Sequence, residues 1–189
     1  MPIETEIKLR IGDMAELRRR LESLGGRLLA PRHFEDNYVL DFADGSLRAW
    51  GFLIRLRNAG GNWVLTYKGA ALPEGPFKSR EELETGIAEG PTALEILGRL
   101  GMRVWFRYQK YREEWRIGSG TEAVVVSLDE TPVGSFAELE GAGDAIRRLA
   151  GTLGYRETDF IRDSYYTLYV RACAERGESA AHMLFPVKG

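Results

Sequence analysis

Acidic and basic side chains alternate along the first predicted strand, which runs from Ile3 to Leu9. Glu4, Glu6 and Lys8 occupy every second position, so their side chains share one face of that strand. Two neighbouring carboxylates on a rigid face repel each other, and a cation bound between them would relieve that repulsion. Taken alone, however, this strand is more typical of a sheet edge whose charged face is solvated.

Charged residues recur at alternate positions, or at the ends, of most later predicted strands. They are Arg55, Arg57, Lys68, Arg80, Glu82, Glu84, Lys110, Arg112, Asp129, Glu138 and Glu140. An antiparallel sheet of about eight strands can close into a barrel whose interior is a cavity. The alternative is an open sheet with a solvated charged face, where each surface salt bridge contributes only ~0.5 kcal/mol. Recurrence on so many strands favours the barrel, with the charged faces turned inward.

The mixture of acids and bases indicates which ligand such a cavity would bind. Arg forks and Lys ammonium groups that converge on one point suit phosphate oxygens. Carboxylates beside them would repel a bare polyanion, but they are the ligands that Mg²⁺ or Mn²⁺ prefers, and such a cation bridges to phosphates. The sequence contains no glycine-rich Walker loop. The pattern therefore predicts a metal-bound polyphosphate held by side chains.

Turn and helix signals separate the strands that would carry these residues. The predicted strands cover residues 3–9, 34–41, 52–57, 63–69, 78–85, 102–109, 111–117, 122–129 and 135–140. Asp13 with Glu16, and Thr92 with Glu95, have the spacing of capping boxes and predict a helix after each. Asp144 is expected to cap a third helix, and a fourth is expected from about residue 163. The predicted fold is α+β, an eight-stranded antiparallel β-barrel tunnel with helices packed on the outside.

Composition limits the classes of function. The formal net charge of −2 over 189 residues does not favour binding to nucleic acid or to an acidic membrane surface. A single cysteine, Cys173, excludes an internal disulfide, and His33 and His182 are too far apart for a Cys/His zinc pattern. No apolar run is long enough to span a bilayer, and the first residues do not resemble a signal peptide. We therefore expect a soluble, cytoplasmic protein without nucleic-acid or membrane partners.

The chain length fits one domain. We expect a tunnel domain over residues 1–177 and a C-terminal tail over residues 178–189. The tail is expected to be mobile unless Met183, Leu184 and Phe185 dock against the domain. The outer barrel face between helices could support a homodimer.

The charged positions resemble, in order, the motifs of the CYTH superfamily. That superfamily groups class IV adenylyl cyclases, thiamine triphosphatases and inorganic triphosphatases, also called triphosphate tunnel metalloenzymes. Glu4-x-Glu6-x-Lys8 resembles its ExExK signature. The further matches are residues 34–38 with the Asp-x-Tyr strand, 53–57 with LxxRxR, 65–69 with Thr-x-Lys-Gly, 80–84 with R-x-E-x-E, 110–112 with K-x-R, and Asp129, Glu138 and Glu140 with the late acidic positions. The resemblance covers about residues 3–170, and the ordered set is far more specific than ExExK alone.

The resemblance implies a role for each matching residue. The implied metal ligands are Glu4, Glu6, Glu138 and Glu140, with Asp129 assisting, for Mg²⁺ or Mn²⁺. The implied phosphate-binding residues are Lys8, Arg55, Arg57, Lys68, Lys110 and Arg112, supported by Arg80, Glu82 and Glu84. In the thiamine triphosphatase branch a Tyr and a Lys are proposed to help activate water, and Tyr38 and Lys68 match those positions. The alternative for Tyr38 is an ordinary aromatic residue of a strand.

The tunnel motifs leave the reaction open. Residues 105–113 and the chain length resemble class IV cyclase-like members, which favours conversion of ATP to cyclic AMP and pyrophosphate. The alternative is hydrolysis of tripolyphosphate or thiamine triphosphate by the same lining. A non-catalytic polyphosphate- or nucleotide-binding module is a third interpretation, although retention of all four glutamates argues against it. Trp50, Trp63 and Trp105 could stack on a base, but barrel packing explains them more simply.

Overall fold

The computed structural model describes residues 3–72 and 75–186. The strands are β1 (Ile3–Ile11), β2 (Arg27–Phe42), β3 (Leu53–Ala59), β4 (Asn62–Lys68), β5 (Lys78–Ile87), β6 (Met102–Ile117), β7 (Val124–Thr131) and β8 (Gly134–Gly141). The helices are α1 (Met14–Ser23), α2 (Ser46–Ala49), α3 (Gly90–Arg99), α4 (Gly143–Thr152) and α5 (Tyr165–Glu175). Short 3₁₀ turns cover Gly120–Glu122 and Glu157–Asp159.

The eight strands form a closed antiparallel barrel, which confirms the predicted α+β fold class. Their order around the barrel is β1-β5-β4-β3-β2-β6-β7-β8. The barrel closes at β1, which pairs with β5 on one side and β8 on the other. Glu4 lies opposite Arg80 on β5, and Glu6 lies opposite Glu140 on β8. Because facing residues of paired strands share a side of the sheet, the charged faces meet inside the barrel.

Helices α1 and α4 cover the outside of β1, β7 and β8. Leu21 of α1 and Ile146 of α4 are fully buried in one apolar cluster with Ile7, Val126 and Leu139 from the strands. Ile7 and Leu139 alternate with the charged residues of β1 and β8, so each of these strands supplies both the outer core and the inner lining. Burial of each such side chain stabilises the fold by roughly 1.5–3 kcal/mol.

Helix α5 lies across one end of the barrel. Tyr165 and Leu168 pack in a second cluster with Phe106, Phe136 and Met183. Met183 belongs to the predicted tail and is fully buried, because its backbone hydrogen-bonds to Arg107 and Gln109 of β6. This part of the tail therefore docks on the barrel, while the domain boundary at residue 177 stays a prediction. Residues 73–74 and 187–189 lie outside the described residues.

Several predicted element boundaries are wrong. Residues 102–117 form one strand of 16 residues, where two were predicted, and β2 begins at Arg27 rather than at Phe34. Register shifts between β2 and β6 bend this long pair, so it curves without a turn.

The helix caps were predicted with mixed success. Asp13 does cap α1, accepting a hydrogen bond from the Glu16 backbone at 2.9 Å. Asp144 lies in the first turn of α4, whose N-cap is Ala142. Helix α3 begins at Gly90 instead of after a Thr92 cap. A Cβ at Gly90 would lie 1.9 Å from the Trp63 ring, so close backbone packing, rather than a capping side chain, sets this helix start.

Within the described part of the chain, no helix combines the length and the apolar character needed to cross a membrane.

Candidate functional site

The barrel interior is a cavity of about 510 Å³, within the usual size range of small-molecule sites. All the predicted site residues line it except Tyr38 and Asp129. The predicted residues in the lining are Glu4, Glu6, Lys8, Arg55, Arg57, Lys68, Arg80, Glu82, Glu84, Lys110, Arg112, Glu138 and Glu140. The strand pattern therefore brings acids and bases from six strands around one space.

The two ends of this cavity differ in chemistry. One end carries carboxylates, and we call it the acidic end. It is formed by the N-terminus of β1 and the C-termini of β5, β6 and β8. The acidic end is lined by Glu4, Glu82, Glu84, Glu114 and Glu140. The opposite end, beneath α5, is the apolar end. The apolar end is lined by Val39, Leu53, Trp105, Phe106, Tyr165 and Tyr166.

One part of the cationic lining is held rigidly by buried carboxylates. Arg112 donates to both oxygens of Asp129, at 2.7 and 2.6 Å, and also to Glu138. Lys110 Nζ lies 3.0 Å from Asp129, and Lys8 Nζ lies 3.0 Å from Glu138. Burial alone would raise the pKa of Glu138, but the charges of Lys8 and Arg112 hold it well below its ordinary value. These cations are therefore fixed in place before any ligand enters.

Lys68 is held between two acids of neighbouring strands. Its Nζ donates to Glu4 at 2.9 and 2.7 Å and lies 3.0 Å from Glu82. Desolvation, followed by the hydrogen bond to Glu4, raises the pKa of Glu82 to about 7. Because Glu4 contributes to this rise, two neighbouring carboxyl groups share one lysine at the acidic end and leave excess negative charge there.

The β3 arginines are held less firmly. Arg55 donates to Tyr108, Thr66 and Glu84 at 3.2–3.3 Å. Within the described part of the chain, Arg57 forms two long ion pairs, 3.5 Å to Glu35 and 3.9 Å to Glu84, and no hydrogen bond from its side chain. Its guanidinium is thus free to reorient toward an anion.

Glu6 is surrounded by cations. Lys78 donates to it at 2.9 Å, and Lys8 Nζ lies 3.5 Å away. Burial alone would raise the pKa of Glu6, but Lys8, with Lys78, holds it far below its ordinary value. Desolvation, followed by the charge of Lys8, lowers the pKa of Lys78 to about 8.

The carboxylates of β1 and β8 fit a hard divalent cation, although no ready-made cluster holds one. Among residues 3–72 and 75–186, no three His, Cys, Asp or Glu side chains already converge on a single metal position. Glu140 lies opposite Glu6 and forms no ion pair with any described residue. Although Glu140 is exposed at the rim, desolvation and then the charge of Glu4 raise its pKa to about 7. Oxygen donors with unbalanced negative charge are what Mg²⁺ or Mn²⁺ requires.

Tyr38 does not reach the cavity, which corrects its placement in the site. Its hydroxyl donates to Asp36 at 3.1 Å, its ring packs 6.0 Å from that of Trp63, and Arg107 lies over its face. Strand alternation explains this, because Glu35 and Asn37 of the same strand are the residues that turn inward.

Asp129 lies behind the lining rather than in it. It is fully buried, and its oxygens are taken by Lys110, Arg112 and the Tyr165 hydroxyl, which donates at 2.6 Å. An acid with these partners has no oxygen turned toward a metal at the acidic end. Its position instead fits an anchor for the two cations.

Sequence reasoning missed several inward residues. They are Glu35, Asn37, Lys78, Tyr108 and Tyr165. Lys78 continues the two-residue spacing of Arg80, so that spacing could have identified it, as the spacing of Lys110 and Arg112 extends to Glu114 in the lining. Tyr165 comes from a helix that caps the barrel, which strand spacing could not reveal.

Comparisons with known proteins agree with this architecture. The sequence model of the CYTH domain matches residues 2–165. MJ0240 of Methanocaldococcus jannaschii, named as a candidate adenylate cyclase, is 31% identical over 139 residues, which cover 73% of this chain and 76% of that protein.

Two solved structures share the fold. A candidate adenylate cyclase from Vibrio parahaemolyticus has a TM-score of 0.77 at 20% identity, covering 88% of this chain and 97% of its own. HpAC1 from Hippeastrum, described as a candidate adenylyl cyclase with dominant triphosphatase activity, has a TM-score of 0.64 at 17% identity, covering 94% and 97%.

Proposed function

This chain belongs to the CYTH domain family, and we propose that it hydrolyses the terminal phosphate of a nucleoside triphosphate inside the barrel, with Mg²⁺ or Mn²⁺. Members of this family act on triphosphate substrates. For this chain, the proposed substrate is a nucleoside triphosphate and the phosphorus attacked is the terminal one.

The opposite positions of the acidic and apolar ends carry the proposal. A nucleoside is apolar and aromatic beside its charged phosphates, so it suits the end lined by Trp105, Phe106 and Tyr166. The phosphate chain would then run past the arginines and lysines toward Glu4 and Glu140. In this orientation the terminal phosphorus lies nearest the carboxylates, and the α-phosphorus lies farthest from them.

The cationic lining between the two ends would hold the phosphate chain extended. Lys110 and Arg112, fixed by Asp129, act as rigid donors, and Arg57 can turn toward the anion. Preorganised cations offset charge that develops on the transferred phosphoryl oxygens without reorganising during the reaction. Lys68, held between Glu4 and Glu82, is the basic side chain that would lie beside the terminal phosphate in this orientation.

Glu4, Glu6, Glu138 and Glu140 are the residues that would hold the cation. A bound Mg²⁺ or Mn²⁺ would supply Lewis-acid polarisation of the phosphoryl oxygens. In the reaction itself, a water oxygen bonds to the terminal phosphorus while the bond from that phosphorus to its bridging oxygen breaks. The products are a nucleoside diphosphate and orthophosphate. One proton of the attacking water stays on the orthophosphate, and the other passes to solvent. The dominant triphosphatase activity described for HpAC1 supports hydrolysis as an activity available to this fold.

Adenylyl cyclase activity is the second candidate. The name of the 31% identical relative favours it. In that reaction the ribose 3′-oxygen attacks the α-phosphorus and pyrophosphate leaves. It would require the nucleotide to lie the other way round, with the α-phosphorus close to Glu4 and Glu140.

Product analysis with the purified protein and Mg²⁺ or Mn²⁺ tests the proposal. ATP, tripolyphosphate and thiamine triphosphate are supplied in parallel, and products are separated by anion-exchange chromatography. We expect ADP and orthophosphate from ATP, at a higher kcat/KM than for tripolyphosphate. Cyclic AMP with pyrophosphate would establish the cyclase instead, and binding without turnover would establish a non-catalytic module.

A further inference from the structure

Asn37 is a polar residue buried inside the barrel that the proposed reaction does not yet use. It lies on β2, directly opposite Arg57 of β3 and Tyr108 of β6. Both of these neighbours line the cavity, and so does Val39, two residues along the same strand. Asn37 itself is fully buried, so it sits immediately behind the lining rather than in it.

Neither end of the Asn37 amide has a hydrogen-bond partner among the described residues. Its Oδ1 and Nδ2 are both buried and unpaired, and so is the Nε atom of Arg57, the residue opposite it on β3. Buried polar groups are nearly always paired, so an unpaired amide opposite an unpaired Nε requires an explanation. The Arg57 Nε and the Asn37 Oδ1 would both be paired if the Arg57 side chain rotated so that its Nε donated to this oxygen.

Arg57 is also one of the two loosely held arginines of the lining, with Arg80, and it is the one that lies opposite Asn37. Its ion pairs to Glu35 and Glu84 are 3.5 and 3.9 Å long, and no described residue hydrogen-bonds its guanidinium. Arg112, by contrast, donates to both oxygens of Asp129 at 2.7 and 2.6 Å. The lining therefore combines the preset Arg112 with arginines that lack a fixed partner, and Arg57 is one of these.

We propose that Asn37 is a positioning residue for the triphosphate-binding lining, and that its amide oxygen orients the Arg57 guanidinium once an anion draws it into the cavity. This inference rests on the proposed function, because it needs a polyphosphate in the barrel. A neutral amide suits the role, since a carboxylate at this position would hold Arg57 permanently and repel the incoming anion.

Binding of inorganic tripolyphosphate in the presence of EDTA tests the role of Asn37 separately from catalysis. Asn37→Val and Asn37→Thr form a matched pair, because threonine carries a hydroxyl group where valine carries a methyl group. We expect Asn37→Val to weaken binding about 10-fold, and Asn37→Thr to recover part of that loss. The melting temperature of ligand-free Asn37→Val should equal or exceed that of the wild type, because the amide it removes has no partner. In turnover assays, KM should rise while kcat stays nearly constant.

A double-mutant cycle with Arg57→Gln shows whether Asn37 acts through Arg57. We expect Asn37→Val to have no further effect on binding when Arg57 is already replaced. Independent, multiplying effects of the two substitutions would overturn the inference, as would wild-type affinity in Asn37→Val. Failure of the wild-type protein to bind tripolyphosphate in EDTA would overturn this inference alone, whereas failure of the wild type to hydrolyse ATP with Mg²⁺ or Mn²⁺ would overturn the proposed function, so the two failures are distinguishable.

Discussion

Glu6 and Glu140 lie directly opposite each other on β1 and β8, with both side chains turned into the barrel. Like charges that face each other across paired strands destabilise a sheet. Lys78 and Lys8 compensate Glu6, but no described residue forms an ion pair with Glu140. The strand pairing that closes the barrel therefore leaves uncompensated negative charge, and a divalent cation would bind there.

Replacing Glu140 tests this relationship directly. Glu140→Gln should stabilise the metal-free protein slightly, by about 0.5 kcal/mol, because the repulsion with Glu6 disappears. The same change should weaken Mn²⁺ binding, followed by electron paramagnetic resonance, and lower turnover by at least ~100-fold. Glu22→Gln, an exposed change on α1, is the control. Lower stability with unchanged Mn²⁺ affinity would contradict the assignment.

Asp129 should behave as an anchor and not as a metal ligand. Asp129→Asn removes the charge that compensates buried Lys110 and Arg112, so we expect a loss of about 3–5 kcal/mol in unfolding free energy. Mn²⁺ affinity should change by no more than about 2-fold. Tyr165→Phe removes one hydrogen bond to the same carboxylate and should cost about 1 kcal/mol. A large loss of Mn²⁺ affinity with little change in stability would show that Asp129 binds the metal.

Substitutions of Tyr38 and Lys68 should have different effects on turnover, although the family resemblance assigns both residues to activation of water. Tyr38→Phe removes a hydroxyl on the outer face, so we expect kcat within about 2-fold of wild type and a stability loss of about 0.5–1 kcal/mol. Lys68→Met removes a charge from the cavity and should lower kcat/KM by at least ~100-fold. Steady-state assays with ATP measure both. Equal losses in the two variants would indicate that Tyr38 acts in the reaction.

His33 should make stability depend on pH. Its Nε2 lies 3.6 Å from buried Glu35, and this carboxylate raises the pKa of His33. Because the pKa of His33 is higher in the folded than in the unfolded protein, its ion pair with Glu35 stabilises the fold fully below the unfolded-state pKa of about 6.5. That stabilisation is lost as the pH rises through the folded-state pKa.

We therefore expect His33→Asn to lose more unfolding free energy at pH 5.5 than at pH 8.5 in urea titrations. The difference between the two pH values should vanish when Glu35 is already replaced by Gln. A loss that is the same at both pH values would refute the pairing.

Strand alternation explains how much of the site could be predicted from sequence. Residues at alternate positions must share a face, so recurring pairs such as Arg55 and Arg57 predicted the inward lining without further information. The same rule explains why Tyr38, which the motif placed in the site, lies outside the lining. Glu35 and Asn37 of the same strand face inward, so Tyr38 must face outward. Residues contributed by the rest of the fold, such as Tyr165 from the capping helix, depend on long-range packing that spacing does not encode.

Turnover of ATP in ¹⁸O-labelled water tests the central claim most directly. Hydrolysis at the terminal phosphorus forms one new bond from water oxygen to that phosphorus. The account predicts orthophosphate that carries one ¹⁸O atom from water and ADP that carries none, in a reaction that requires Mg²⁺ or Mn²⁺ and fails in Glu140→Gln. Cyclic AMP and pyrophosphate without label would contradict the account, because the nucleotide would then lie with its α-phosphorus at the acidic end.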